Sequence, residues 1–439
     1  MKKPPSSKLA YNIQERLNGY FQIFRWGFSD SFKILIITKA PVYRGFIFYM
    51  GYNIILWDKP VWEQLLPFTF TRPAGAIRAG ILTIAEKYEK LLPCQVSHLT
   101  KEHLQKKYPV QYGDNNWLIN AGVIPNNEFI AALKGLNAGE SLWNGETFLA
   151  AHLSSESVKN EEGIDSNKKE YEGKIYIIDQ IWKIFSCAHE EIKNDFYLLT
   201  NGCISQPIHQ SNFVKNPENV FIEEGATVEF ASLNASEGPI YIGKDAEVME
   251  GALIRGPFSL GEHSTIKMGA KIYGGTSIGP HCKVGGEISN AVFFGYANKG
   301  HDGFVGNAVI GEWCNLGADT NNSNLKNNYE EVKVWSYAKK SFEKTGLQFC
   351  GLFMGDHSKC GINTMFNTGT VVGVSANIFG GGFPRNYIPS YSWGGSGGFT
   401  TYQFQKAIET AERVMERRHI ELTEADREIL QYAFSESQS

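Results

Sequence analysis

The sequence predicts an α/β domain, then a left-handed parallel β-helix, then closing helices, and three observations carry that prediction. Aliphatic residues recur every six positions from Ile242 onward. Glycine makes up 45 of 439 residues, and most of it falls after residue 200. Upstream, strand-like runs alternate with helical periods, the order expected of a mixed α/β layer.

Residues 1–49 stand apart, with a net charge of +6 against −10 for the rest of the chain. They show no sustained period of 2 or 3.6, so they read as a basic extension outside the fold. The domain at 50–205 opens on a strand at 54–57 and continues with a helix over about 77–92. A strand at 117–120 and a helix near 127–136 follow. Polar, charged residues over 154–173 read as an exposed loop. A strand at 174–178 and a short helical segment beginning at 182–185 complete the domain.

The repeat decides the architecture of 206–395. Ile242, Val248, Ile254, Leu260, Ile266, Ile272, Ile278 and Val284 keep the six-residue step, with small residues such as Ala246, Ala252, Ser264 and Ala270 two positions before. The rhythm resumes at Ile310 and Leu316, and again from Met354 through Cys360, Phe366, Val372 and Ile378. Neither an amphipathic helix nor a hairpin has this period, whereas hexapeptide β-helices do. Each unit is one short strand plus a corner, and three units close a triangular coil. Coils stack about 4.8 Å apart, so each pairs its backbone with the next. Such a stack needs an end cover, and 396–439 supplies it as two helical stretches. Thr423 followed by Asp426 reads as an N-cap with an acid in the first turn.

Composition narrows the function. A net charge of −4 does not favour nucleic acid. Seven scattered cysteines without a C-x-x-C pair fit buried thiols, not a disulfide framework or zinc knuckle. Lys2 and Lys3 run into Pro4 and Pro5, unlike a secretory leader, and Lys39, Pro41 and Arg44 interrupt the most apolar stretch. A cytoplasmic protein without a membrane span is expected. Residues 298–303 are expected to project from the prism where the rhythm breaks. A histidine there, His301, can serve as a general base, or be a loop histidine without a role. His263, His281 and His357 fall at repeat corners.

The run from Gly300-His301 through Asn307-Ala308-Val309-Ile310-Gly311 to Asn315-Leu316-Gly317-Ala318 and Asn324 resembles a known acetyltransferase motif. It is that of the bifunctional UDP-N-acetylglucosamine pyrophosphorylase/glucosamine-1-phosphate acetyltransferases. Met354-Gly355-Asp356-His357 to Asn363 resembles their acyl-CoA-side coils, and over about 50–436 the chain resembles the alternate Bacteroidetes type. The resemblance implies a nucleotidyltransferase-like first domain and a homotrimer with sites at subunit clefts. It implies acetyl-CoA and UTP as cosubstrates, Mg2+, and a sugar phosphate. By that resemblance His301 is the base, while Glu287, Asn315, Asn324 and Lys299 bind substrate. Arg72, Arg78 and Lys87 contact the nucleotide, and Asp114 is the nearest acid for the metal. Tyr273, Ser289, Phe304 and Leu325 replace an arginine, a lysine and two tyrosines of the family pocket. The glycine-rich loop after the first strand is missing. Two other readings therefore stand beside the bifunctional one: a hexose-1-phosphate nucleotidylyltransferase on a scaffold β-helix, or a non-catalytic trimeric sugar-nucleotide binder. A chain begun at Met50 is expected to stay soluble and keep full activity. Loss of soluble protein would overturn that boundary.

Overall fold

In the computed structural model, residues 21–24, 35–38 and 53–438 are described. The chain divides into two compact units, Met1–Met50 and Gly51–Ser439. In the first, strand Phe21–Phe24 pairs antiparallel with Leu35–Thr38. The rest of the expected extension lies outside the described residues.

The second unit begins with a six-stranded sheet. Its order is Gln95–Leu99, Asn53–Trp57, Asn115–Asn120, Thr147–Ser154, Ser141–Asn144 and Lys168–Glu170. The first three strands are parallel, and Thr147–Ser154 runs antiparallel to its neighbour. Strand alternation fixes the two faces. Ile54, Leu56, Trp117 and Ile119 pack with Tyr88, Phe129 and Phe185. Ile55, Trp57 and Leu118 pack on the opposite side with Phe148, Leu153 and Val158.

Several elements differ from expectation, each for a local reason. The helix expected over 77–92 is confined to Ile84–Leu91. Gly80 has φ of +88°, and Thr83 and Glu86 form a reciprocal capping box that sets the start four residues later. The polar stretch 154–173 holds a short helix, Ser155–Asn160, and the edge strand Lys168–Glu170. The expected strand at 174–178 keeps two paired residues, Tyr176–Ile177, against Val123–Ile124. The segment from 182 is no short helix but Ile181–Thr200, twenty residues long. It buries Phe185, Ala188 and Ile184 in one core with Val292, Phe294, Val309, Phe353 and Val371 of the repeat region. The α/β layer and the solenoid therefore share a core.

Residues from Phe213 onward form a left-handed parallel β-helix of about ten turns. Pairing starts at Phe213–Lys215, before the first residue of the sequence period. Val228, Val248, Ile266 and Val284 stack in register on one inner face, and Leu233, Ile254, Ile272 and Ile288 on another. All of them are buried in one core. The chain leaves this stack as a hairpin, Lys333–Ser336 with Ser341–Lys344. At one corner His263, His281, Tyr296, Trp313 and His357 all adopt φ between 53° and 61°. The first four rings stack with centroids 4.9, 4.7 and 4.1 Å apart. Helices Phe404–Glu416 and Glu424–Gln438 cover that edge, placing Ala411, Met415 and Leu430 on Trp313 and Tyr391. Thr423 and Asp426 cap the last helix reciprocally, at 3.2 and 3.0 Å. Six cysteines are buried free thiols, while Cys203 is exposed. Among the described residues, no helix is long and apolar enough to cross a membrane.

One buried charge ties the first domain to the solenoid, and a second buried group braces the first domain itself. Arg72 pairs with Asp356 and, at 3.0 Å, with Glu312, both from the β-helix. Thr71 donates to the same Asp356 carboxylate at 2.7 Å, and Glu312 N donates to its other oxygen at 2.8 Å. The second is Asp58, directly after the first strand, which accepts from Ala74 N at 3.0 Å and from the Thr100 hydroxyl. Burial pushes the Asp58 carboxyl up to about 7 against those lowering bonds.

Arg72→Met is expected to lower stability by about 3–5 kcal/mol, because Asp356 loses its cation while buried. A denaturation midpoint equal to wild type would contradict this. For Asp58, the unfolded chain loses its proton near pH ~4 and the folded chain holds it to about 7. Stability from this group is thus present below pH ~4 and is lost as pH rises towards 7. Asp58→Asn should gain on wild type across that window, by roughly 2–4 kcal/mol, in urea denaturation at stepped pH. Parallel pH curves for the two proteins would count against the assignment.

Candidate functional site

His301 sits at the β-helix corner between strand Asn298–Lys299 and strand Phe304–Ile310. The expected loop at 298–303 is therefore shorter. Asn298–Lys299 stays in the ladder, with Lys283↔Asn298 and Val284↔Lys299 in register, and only 300–303 leave it. The His301 side chain is exposed. It lines a depression of about 810 Å³ together with Met249, Lys267, Met268, Asp302 and Asp319.

The loop is held from several sides. Glu287 N donates to Gly303 O at 3.1 Å, and Asp319 N to Asp302 O at 3.0 Å. Phe304 N donates to Asn321 Oδ1 at 2.8 Å. Gly303 has φ of +113°, and a Cβ there would lie 2.2 Å from Thr320 O, so the close approach of the next coil requires glycine. From inside the prism, Lys299 Nζ donates to His301 O at 2.6 Å and to Asp302 O at 2.8 Å. Lys299 is fully buried, and burial lowers its ammonium to about 8.

The other residues expected to bind substrate flank this corner without lining the depression. Glu287 lies on one adjoining face, in register with Lys271 and Phe304. Asn315 lies on the other, where its Oδ1 accepts from Asn298 Nδ2 at 2.7 Å. Asn324 donates from Nδ2 to Asn307 Oδ1 at 2.8 Å, beyond the first of those faces. Lys267, Asp302 and Asp319, which do line the depression, were not anticipated. Asp302 had a signal in its place beside His301, whereas the other two come from neighbouring coils.

A second opening, about 750 Å³, lies at the C-terminal ends of strands Asn53–Trp57 and Asn115–Asn120. Ligands of open α/β sheets bind at such an edge. Trp57, Lys59, Gln64, Asn120, Trp143, Glu146, Asp165 and Asp179 line it. Asn120 is fixed, donating to Phe148 O and accepting from Gly122 N, both at 3.0 Å. Lys59 pairs with Glu161 across the opening.

None of the three cations expected to contact nucleotide lines this opening. Arg72 is engaged by Asp356 and Glu312, whose charges hold its guanidinium above the ordinary range despite burial. Lys87 is buried against Glu191 at 2.7 Å and Asp195 at 2.5 Å, which keep it protonated despite burial. Arg78 donates to Phe294 O at 3.2 Å and to Ile81 O. Asp114 is exposed and precedes strand Asn115–Asn120, at the end of that strand remote from the opening. Mg2+ in phosphate chemistry is held by one or two carboxylates together with the phosphates. Among the described residues no three His, Cys, Asp or Glu side chains converge as a metal site. Asp114, exposed and remote from the opening, does not fit such a site.

Residues 54–204 match the family described as sugar nucleotidyl transferase. A bifunctional sugar-1-phosphate nucleotidylyltransferase/acetyltransferase of Sulfurisphaera tokodaii is 35% identical over 147 residues, 33% of this chain and 36% of that one. The bifunctional protein GlmU of Methanocaldococcus jannaschii is 38% identical over 73 residues, 17% of each chain. The chain thus spans about a third of the first relative and about a sixth of the second. An Arabidopsis UDP-N-acetylglucosamine acyltransferase structure is 18% identical, with a TM-score of 0.23 over 47% of this chain and 76% of that one. The polySia-specific acetyltransferase NeuO gives 12% identity and a TM-score of 0.26, over 48% of this chain and all of that one. Scores this low leave the β-helix to rest on its own strand pairing. The first domain is similar to sugar nucleotidyl transferases, and the chain has relatives that pair this activity with acetyl transfer.

Proposed function

We propose that the protein is a sugar-nucleotide biosynthetic transferase. It acetylates glucosamine-1-phosphate from acetyl-CoA on the β-helix and transfers a uridylyl group from UTP to the product in the first domain, giving UDP-N-acetylglucosamine. The observation that carries this reading is the exposed His301 imidazole, on a loop clamped at the edge of an 810 Å³ depression. The sugar amine attacks the thioester carbonyl, the C–S bond breaks, and CoA leaves as the thiolate. The nitrogen gives up its proton to His301, which can return one to the leaving sulfur. General-base assistance of this kind contributes about 10²–10⁴-fold. The depression is open on the outside, which suits completion by a second copy in a homotrimer working in the cytoplasm.

A second reading keeps acetyl transfer and makes the first domain a binder without turnover. It is favoured by the engagement of Arg72, Arg78 and Lys87 within the fold. Two assays separate the readings: thiol release from acetyl-CoA with glucosamine-1-phosphate, and pyrophosphate release from UTP with N-acetylglucosamine-1-phosphate. His301→Ala is expected to lower thiol release by about 10²–10⁴-fold and leave pyrophosphate release intact. Wild-type acetylation by that variant would remove His301 as the base. Absence of pyrophosphate release from wild type would select the second reading.

A further inference from the structure

Lys299 occupies a position the repeat reserves for aliphatic side chains. Its registered partner in the coil below is Val284, and Leu316 follows the partner of Asn298 in the coil above. Both neighbours are buried in the solenoid core. An ammonium in such a column is costly unless it is hydrogen-bonded. Here it meets two carbonyls of one loop, those of His301 and Asp302, at 2.6 and 2.8 Å.

Those carbonyls have restricted alternatives. Gly286 adopts φ of +76°, and a Cβ on it would come within 2.9 Å of His301 O, so the coil below presses on the same peptide. Asp302 O also accepts from Asp319 N of the coil above. The His301–Asp302 peptide is thus packed between two coils with its oxygen turned inward. An inward carbonyl without a donor carries a desolvation cost and would rotate towards water. That rotation would swing the Cα–Cβ bond of His301.

We infer that Lys299 is the positioning residue for His301: from inside the prism its ammonium holds the two loop carbonyls inward and so fixes where the imidazole stands over the depression. This deepens the proposed acetyl transfer and rests on His301 as its base. It also replaces the expected role of Lys299 as a substrate ligand, since the fully buried ammonium faces the core.

Lys299→Met keeps the length and apolar stem and removes the donors. With acetyl-CoA and glucosamine-1-phosphate, kcat is expected to fall ~10–100-fold, the scale of an ångström-sized misplacement, while both KM values stay within about threefold. Hydrogen exchange at residues 300–303 should rise about tenfold, a readout that needs no turnover. Unchanged kcat with unchanged exchange overturns the inference. So does a large rise in KM for glucosamine-1-phosphate at constant kcat, the signature of a direct phosphate ligand. If Lys299→Met does not fold, Lys299→Gln, too short to span both carbonyls, is read by the same kcat and exchange criteria. His301→Ala run in parallel separates the two failures. An inactive His301→Ala beside a wild-type Lys299→Met sinks only the positioning role, whereas an active His301→Ala sinks the base itself.

Discussion

Backbone pairing between successive coils is the constraint on which the rest of this structure depends. Thr227 N bonds Ala246 O, Glu247 N bonds Ser264 O, Thr265 N bonds Cys282 O and Lys283 N bonds Ala297 O, all at 2.8–3.0 Å. Such a ladder satisfies the polar backbone inside a narrow prism, where water cannot. It also fixes which side chain points inward, because a slip of one residue would turn every aliphatic group outward. Extra residues can leave the stack only at a corner. The chain uses that freedom for the four-residue turn bearing His301 and for the hairpin Lys333–Ser336/Ser341–Lys344. A reactive group on a corner inherits the rigidity of the coils above and below it.

The first domain obeys a different constraint, set by its contact with the prism. Helix Ile181–Thr200 lays an apolar face on the solenoid, and Phe185 meets Phe353 with ring centroids 6.0 Å apart. Glu191 and Asp195 on the same helix hold Lys87, and Asp195 Oδ2 accepts from Ile81 N and Leu82 N at 2.8 and 3.0 Å. Lys87 is thus engaged within the first domain, while Arg72 and Arg78 reach across the joint to Asp356 and Phe294 O. Asp58 plays a related part where a glycine-rich loop was missed. Its carboxyl holds the turn at Ala74, so the chain after the first strand is braced by a side chain.

The solenoid was legible because its period is a direct image of in-and-out alternation: Ile242 to Val284 needed no knowledge of distant partners. The capping pair Thr423 and Asp426 was legible for the same local reason. The residues that escaped did so through long-range contacts. Lys87 meets carboxylates 104 and 108 positions away, and Arg72 meets Asp356 at a separation of 284. No local pattern separates such a lysine or arginine from an exposed one. Lys299 shows the limit most clearly. Val248, Ile266 and Val284 follow one another at 18 residues, but Lys299 pairs with Val284 after 15, so this shorter coil breaks the six-residue step and a charged residue lands where the ladder points inward. Helix Ile181–Thr200 was cut short because its start has no side-chain cap and Glu190 and Glu191 interrupt its apolar run.

The two openings are also held with very different strength. Across the first-domain opening, Lys59 and Glu161 pair with side chains 66% and 36% exposed, a class of ion pair worth about 0–1 kcal/mol. Water and salt compete for both partners, so little energy opposes their separation when a charged ligand arrives. At the corner, by contrast, the clamp on the loop starts from a lysine with no exposed surface, set in an apolar column. Breaking it leaves the Lys299 ammonium without its two acceptors and takes a donor from His301 O, while Asp302 O keeps Asp319 N, and this costs more than parting a surface pair. Acid–base chemistry on a thioester needs a base held at a fixed distance. Nucleotide binding needs walls that yield. The solenoid corner meets the first requirement and the sheet edge the second, in keeping with the proposed division of the two chemistries.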